Sequence, residues 1–377
     1  MRIVHVADSF APDVGGIERQ VEALARHQAS EGHDVTVLTA VADEMDIDLD
    51  VRRAAPGRWL TVAFPWRNYK MVAEVLDRGD IDVVHAHFTV ISPLAIYVTR
   101  AASRRGIPVA ATVHSLWWKV ALATRISTLP FGWGRMRAAW SGVSSVAAGH
   151  VRRTLRGVAE VSVVPNLVEI GWWQPTEPLR ETGAGEIRLA LVGRLKKRKH
   201  VDEFLDALAA ARAQISPGTA VRVSIVGAGP RHDDLQRQIT QSGLGEWVTL
   251  LGHRNPEQIR ALLHESDLFV ASSRQESFGI AALEARAAGL PVLGYCGNGL
   301  VDFIADGTEG VLVADAAELT EALVALIGQP EELQRLRKTT TTFPPSVDVD
   351  AAMNSVYALY RRARAMRGLP QHALNGS

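Results

Sequence analysis

The chain has one cysteine, Cys296, in 377 residues. That excludes an internal disulfide and any zinc cluster built on cysteines. It has no net charge: 41 basic residues balance 41 acidic ones, and 47% of the chain is hydrophobic. This is the balance of an ordinary soluble globular protein, not of a charged tail or a fibre. No apolar run reaches transmembrane length. The opening MRIVHVAD reads as a short buried strand ended by Asp8, not as a signal peptide. A cytoplasmic location is expected, with attachment to a membrane surface left open. The first strand is not followed by GxGxxG, which argues against a Rossmann dehydrogenase. One further absence is local. From Val83 to Ala159 there is no Asp or Glu.

The chain is long enough for two domains, each with its own core. Ile3–Ala7 reads as a strand, Gly15-Gly16 opens a helix from Ile17 toward Ala29, and Val35–Thr39 is the next strand. Glycines where a strand feeds a helix let backbone approach an anion closely. Asp46-Ile47-Asp48-Leu49-Asp50 has the look of a metal-binding DxD run, but alternating acids on an exposed loop or edge explain it better. His85 and His87 sit at i and i+2 on one strand and so point the same way. His114 ends another strand, Val109–Val113. Three histidines can bind zinc; lining the carboxyl ends of parallel strands is the stronger reading, and no metal is expected.

The acid-free span carries Arg100, Arg104, Arg105, Lys119, Arg125, Arg135, Arg137, Arg152, Arg153 and Arg156. Trp117, Trp118, Phe131, Trp133 and Trp140 are interleaved with them. Aromatic and basic residues on one surface suit an anionic membrane interface; packing of the aromatics beneath a solvated basic rim is the equal alternative. No nucleic-acid motif accompanies the span, and no nucleic-acid partner is expected.

Trp172 to Gly185 is rich in loop formers. Beyond it, strand and helix alternate again, which predicts a second doubly wound sheet. The strand Ile187–Val192 leads into Gly193-Arg194-Leu195-Lys196-Lys197-Arg198-Lys199-His200. Positive charge between a strand end and a helix start makes a phosphate clamp. The stretch Ser272–Pro291 begins as a polar turn and continues as a helix. If Glu276 and Glu284 both lie on that helix, eight residues separate them by roughly 12 Å. That is wider than the roughly 5–10 Å of a glycosidase pair and suits two ends of one long ligand. Phe278-Gly279-Ile280 supplies N–H groups at a helix N-terminus, where phosphate is favoured.

Taken together, Gly15-Gly16, His114, Pro165-Asn166, Gly193-Arg194-Leu195 with Lys199, and Glu276 with Glu284 resemble the retaining nucleotide-sugar glycosyltransferases of the group-one, glycogen-synthase-like family. The resemblance covers nearly the whole chain. It implies an α/β fold of the GT-B type: two facing Rossmann-like parallel-sheet domains with a cleft between them. The expected division is an acceptor-binding domain over 1–165, a donor-binding domain over 166–345, and a final helix over 346–377 packing back on the first domain. The resemblance also implies roles. Glu276 would hold hydroxyls of the donor sugar, and Glu284 those of the ribose. Arg194 and Lys199 would neutralise the diphosphate. The backbone of Gly16 and of Phe278, Gly279 and Ile280 would complete the phosphate cradle, with Gly15 in the same turn. His253 and Arg254 lie where the family builds its base pocket, and His114 beside the transferred sugar. In this family no divalent metal or cofactor is needed; a UDP- or GDP-sugar is the expected co-substrate, and the acceptor is a small molecule or a lipid-linked or anionic hydroxyl compound. Three positions depart from the family pattern: Ser115 replaces an Asp, His200 a Gly and Asp302 a Glu. An epimerase or a non-catalytic subunit of the same fold is the alternative.

Overall fold

The computed structural model describes residues 1–12, 15–43, 45–53, 69–117, 136–155, 160–182 and 185–370. The chain divides into two compact units. Unit 1 is Met1–Leu167 with Asp350–Ser377, and unit 2 is Val168–Val349.

Unit 1 carries seven strands: β1 (Arg2–Ala7), β2 (Asp34–Thr39), β3 (Asp50–Arg53), β4 (Val83–Phe88), β5 (Val109–Val113), β6 (Ala139–Gly142) and β7 (Val161–Val163). They pair in parallel in the order β3-β2-β1-β4-β5-β6-β7. Central strands such as β4 and β5 are buried along their whole length, because helices cover both faces of a parallel sheet. Among them are α1 (Gly16–Ser30), α2 (Tyr69–Leu76), α3 (Pro93–Arg104) and α4 (Ser145–Thr154). The strand order reverses between β1 and β4, which makes their carboxyl ends the topological switch point.

The last helix, α12 (Val349–Ala365), belongs to unit 1 from Asp350 onward. It buries Met353, Val356, Leu359, Tyr360 and Ala363, a stripe at helical spacing. Arg364 donates to Asp82 at 2.6 Å, and Arg362 to the Glu160 carbonyl at 2.6 Å.

The membrane reading of the aromatics is corrected at two positions. Trp117 is 3% exposed and Trp140 0%. Both belong to the unit 1 core; Trp140 packs on Phe88 with ring centroids 5.3 Å apart, and the Trp117 indole donates to the Thr89 carbonyl. Neither can reach a headgroup layer. Trp118, Lys119, Arg125, Phe131, Trp133 and Arg135 lie outside the described residues. In the Asp46–Asp50 run, Asp46 and Asp48 are exposed, while Ile47 and Leu49 pack on the core. Asp50 accepts from Thr36. This is the alternation of an exposed sheet edge.

Unit 2 has six strands: β8 (Ile187–Val192), β9 (Val221–Val226), β10 (Val248–Gly252), β11 (Leu268–Ala271), β12 (Val292–Tyr295) and β13 (Gly310–Val313). They are parallel in the order β10-β9-β8-β11-β12-β13. Its helices are α5 (Ile170–Trp173), α6 (Val201–Arg212), α7 (His232–Gln241), α8 (Pro256–His264), α9 (Ile280–Ala287), α10 (Ala316–Gly328) and α11 (Pro330–Thr342). The amino ends of β8 and β11 are tied by Asp267, which is fully buried. Asp267 accepts from the Arg188 backbone at 2.8 Å, from Arg337 at 2.8 Å, and from Arg180. A buried carboxylate is tolerable when cations and N–H groups surround it. The switch point of this sheet falls between β8 and β11. No described helix in either unit is long and apolar enough to cross a membrane.

Candidate active site

In unit 2, the loops after β8 and β11 meet at the switch point. The β8 loop closes with a short 3-10 turn, Lys197–Lys199. Lys199 Nζ donates to Glu276 Oε2 at 2.5 Å. The two side chains are 28% and 21% exposed, so the pair is sheltered but reachable. The backbones are joined as well: Ser272 Oγ donates to the Lys199 carbonyl at 2.7 Å. The Lys199–Glu276 bond is charge-assisted and so of the short, strong kind. Arg194 lies exposed at the end of β8, just before the turn that carries Lys199.

The turn explains one of the unusual residues. His200 has φ +51°, the only positive φ outside glycine among the described residues. A left-handed residue between the clamp lysine and α6 is usually glycine. Here His200 takes that conformation, and its Nδ1 bonds Glu203 at 2.7 Å. Glu203 also accepts from Arg274 at 2.6 Å, and Arg274 lies 4.8 Å over the Tyr295 ring. These partners hold the Glu203 carboxyl below its usual range.

Glu276 is held from the other side. The Gly299 N–H donates to the Glu276 carbonyl at 2.9 Å, and Asn298 Nδ2 to the Ser273 carbonyl at 3.2 Å. A Cβ on Gly299 would lie 2.5 Å from the Ser277 oxygen and 2.6 Å from Phe278 Cα. Only glycine permits this approach. Helix α9 starts at Ile280, with Gly279 before it at φ +103°. Glu276 is therefore in the loop, in the polar turn where the sequence put it, and Glu284 is on the helix, so the roughly 12 Å rise of an unbroken helix does not describe their separation. Phe278 and Gly279 are buried, and Ile280 opens the helix at the carboxyl end of the sheet. First-turn N–H groups have no acceptor within their own helix.

The neighbouring loops are zipped together by backbone. Leu195 N–H donates to the Ala228 carbonyl, Gly193 N–H to Val226, and Gly227 N–H to Gly252. A Cβ on Gly227 would meet the Gly193 oxygen at 1.8 Å. His253 and Arg254 follow directly after β10, and Arg254 bonds the His253 carbonyl at 2.9 Å. The carboxyl ends of β8, β10 and β11 thus carry Arg194, Lys199, His253, Arg254 and Glu276 on one edge of unit 2.

Unit 1 presents a different set at its own switch point. Asp8 follows β1, and its carboxylate accepts from the N–H groups of Leu94 and Ala95 at 2.9 and 3.1 Å. Burial pushes its pKa up to about 6, against the pull of those two bonds. Gly15 is the cap of α1, in a fully extended conformation, and Gly16 opens the helix. In that first turn Glu18 accepts from Ser9 at 2.8 Å. Its other oxygen is buried without a partner among the described residues.

Behind these residues lie four histidines. His5, His85 and His87 are fully buried and their ligand atoms lie within 4.8 Å of one another. His87 Nδ1 is 3.0 Å from His114 Nε2. His5 Nδ1 is 3.0 Å from His87 Nε2, and His5 Nε2 is 2.7 Å from Gln28 Oε1. Burial lowers the pKa of His5 to about 4 and that of His114 likewise. His85 and His87 are pushed well down, first by burial and then by neighbouring imidazoles: His5 and His114 for His85, and His85, His114 and His5 for His87. All four are neutral imidazoles at pH 7.

Sequence reasoning placed His85, His87 and His114 together. It missed His5, Gln28 and Tyr360, and also Glu18 and the Glu203–Arg274 pair. His5 had a signal: β1 and β4 are adjacent, and His5 pairs in register with His85. Tyr360 had none, since its partners lie about 275 residues away in the chain.

Residues 180–343 match the family model for glycosyl transferases group 1, and residues 14–172 that for glycosyltransferase family 4. The glycogen synthase of Mycobacterium tuberculosis is 27% identical, covering 99% of this chain and 98% of its own. The D-inositol 3-phosphate glycosyltransferase of Nocardia farcinica is 30% identical, covering 88% and 82%. The crystal structure of Anabaena Alr3699/HepE in complex with UDP and glucose superposes with a TM-score of 0.72 at 21% identity, covering 95% and 98%. That likeness gives the fold as GT-B.

Proposed function

Since the chain belongs to the group 1 glycosyltransferases, enzymes that move a sugar from a nucleotide sugar, we propose that it does so with retention of configuration, without a metal ion, on an anionic hydroxyl acceptor. The observation that carries this reading is the Lys199–Glu276 pair at the β8/β11 switch point, with Arg194 exposed in the same loop as Lys199. Open parallel sheets bind ligands at such a point. Lys199 and Arg194 meet the diphosphate, and Glu276 accepts from hydroxyls of the donor sugar. Glu284 takes the ribose hydroxyls. His253 and Arg254 flank the base. The N–H groups of Phe278, Gly279, Ile280 and Gly16 face phosphate, and Gly15 shapes the approach of Gly16. His114 meets the transferred sugar.

The chemistry follows from charge. The bond from the sugar's anomeric carbon to the diphosphate oxygen breaks, and negative charge grows on that oxygen. Lys199 and Arg194 stabilise it in place, as fixed charges do best in a transition state. The acceptor oxygen bonds the same face of the anomeric carbon, and its proton passes to the departing phosphate oxygen. Atoms and charge balance without an enzyme nucleophile. Two cations on the diphosphate do what a divalent ion does elsewhere.

The D-inositol 3-phosphate named for one relative is an anionic acceptor, and UDP in the HepE complex favours a uridine donor. A lipid-linked acceptor at a membrane surface is the second reading. It keeps the exposed Arg137 but loses Trp117 and Trp140 to the core. The test is sugar transfer from UDP- and GDP-sugars to inositol phosphate in excess EDTA, with the anomer of the product read by NMR. Full activity and a retained anomer are expected. Loss of activity restored by magnesium would sink the metal-free claim, and an inverted product the retaining one. Cosedimentation with anionic liposomes at low salt would favour the membrane reading.

A further inference from the structure

The hydrogen bonds of the histidine cluster form one continuous chain. His114 Nε2 meets His87 Nδ1 at 3.0 Å, His87 Nε2 meets His5 Nδ1 at 3.0 Å, and His5 Nε2 meets Gln28 Oε1 at 2.7 Å. Gln28 Nε2 donates to Tyr360 at 3.1 Å. The Tyr360 hydroxyl is 2.9 Å from His85 Nδ1, and His85 Nε2 is 2.7 Å from Thr112 Oγ1. Thr112 meets Ser141 at 2.8 Å, and Ser141 donates to the Ala111 carbonyl at 3.3 Å. The chain runs through β1, β4, β5 and β6, with α1 and α12 closing it. Its titratable members are the four histidines and Tyr360, and Tyr357 packs on Tyr360 from the same helix.

The direction of this chain is determined. A carbonyl only accepts, so Ser141 must donate to Ala111 and accept from Thr112. A neutral imidazole has one donor and one acceptor nitrogen. Thr112 then accepts from His85 Nε2–H, so His85 Nδ1 accepts from the Tyr360 hydroxyl. Tyr360 accepts from the Gln28 amide, whose oxygen accepts from His5 Nε2–H. His5 Nδ1 accepts from His87 Nε2–H, and His87 Nδ1 from His114 Nε2–H. Reversing every bond would cost the Ser141–Ala111 bond. The proton on His114 is therefore on Nε2, and Nδ1 carries a lone pair.

We propose that Gln28 and Tyr360 are positioning residues that, through His5 and His87, hold His114 as a neutral imidazole with its proton on Nε2, the nitrogen that faces His87. The inference rests on the reading that His114 meets the donor sugar. Because α12 supplies Tyr360, the chain ends of unit 1 are built into the setting of a residue at the sheet's carboxyl edge. The depressed histidine pKa values agree with an array that stays neutral.

The test uses the full chain with 15N-labelled histidine, His114 being assigned by comparison with His114→Gln. Long-range 1H–15N correlation should show His114 protonated on Nε2 alone from pH 8 to about 5. Tyr360→Phe keeps the ring but frees the Gln28 amide to turn over, and Gln28→Leu removes the link outright. Both should give mixed His114 tautomers and a His114 that titrates at higher pH. With them, kcat/KM for the donor should fall about tenfold at pH 6 and much less at pH 8. A wild-type His114 protonated on Nδ1, or variants with an unchanged tautomer and pH profile, would overturn the proposal. So would stoichiometric zinc in the purified protein, held by His5, His85 and His87. If either variant does not fold, the wild-type tautomer and the metal content still decide. The tautomer is read without turnover, so an inactive protein with the expected tautomer would count against the sugar-transfer reading and leave this one standing.

Discussion

The two units solve the same problem with opposite electrostatics. Each puts polar side chains at the switch point of a parallel sheet. Unit 2 uses formal charge at loops and a helix start: Lys199 with Glu276, and Arg274 with Glu203 in the first turn of α6, all partly reachable by solvent. Unit 1 uses a neutral hydrogen-bonded array within the sheet, in which His5, His85 and His87 are buried. Charges at a rim can be handed to an anionic ligand, because water and the ligand share the cost of desolvation. A buried array cannot bear charge at all, but it can hold a tautomer and an orientation. A charged rim suits an anionic ligand, and a neutral buried array suits one that only hydrogen-bonds.

The sharpest way to break that comparison is to remove the charges. Lys199→Ala and Glu276→Ala should each lower the transfer rate by at least about tenfold, since removal of a single charge-stabilising group often costs more. Far-UV circular dichroism and melting temperature should change little, because both residues lie on loops. Activity within twofold of wild type for both would place the donor elsewhere.

The second effect is on stability and belongs to unit 1. The four histidines have folded pKa values lowered from 6.5, to about 4 for His5 and His114 and well down for His85 and His87. The unfolded chain therefore binds more protons below pH 6.5. Stability is full above that value and is lost as pH falls toward 4, at about 1.4 kcal/mol per pH unit for each histidine. Asp8, raised to about 6, acts in the other direction between 3.8 and 6, but it is one group against four. Urea unfolding at pH 8 and 5.5 should show a drop of several kcal/mol. A flat profile would mean that the array tolerates charge.

The smallest expected effect sharpens the account of unit 2. His200→Gly relieves a left-handed residue but gives up the bond to Glu203. The two nearly cancel, so stability should move by less than about 1 kcal/mol, and activity should persist. A large loss would give His200 a part in the chemistry.

Much of this was legible from the sequence, and for physical reasons. Strands such as Ile187–Val192 and Val221–Val226 are mostly buried, so apolar-rich runs, broken by Arg188, Arg222 and Ser224, marked them. Glycines marked the loops because backbone approaches there exclude a Cβ, as at Gly227 and Gly299. Glu276 was legible as the end of the polar turn Ser272–Glu276, and Gly279, at φ +103°, marks where α9 begins. Trp117 and Trp140 were left between core and interface because an amphipathic side chain has the same letter in both places; Trp140 is a strand residue whose strand, β6, gave only a four-residue signal. The histidine array was half visible. His85 and His87 share a strand, but Gln28 and Tyr360 join them only through tertiary contacts across most of the chain.

The measurement that bears most directly on the central claim is calorimetric titration of UDP-glucose and its base and sugar analogues into wild type, Lys199→Ala and Glu276→Ala. One nucleotide sugar should bind the wild type. Lys199→Ala should weaken both the sugar nucleotide and the free nucleoside diphosphate, while Glu276→Ala should weaken the sugar nucleotide and leave the free diphosphate nearly unchanged. Equal binding by all three proteins, or no binding of any nucleotide sugar to the wild type, would contradict the account.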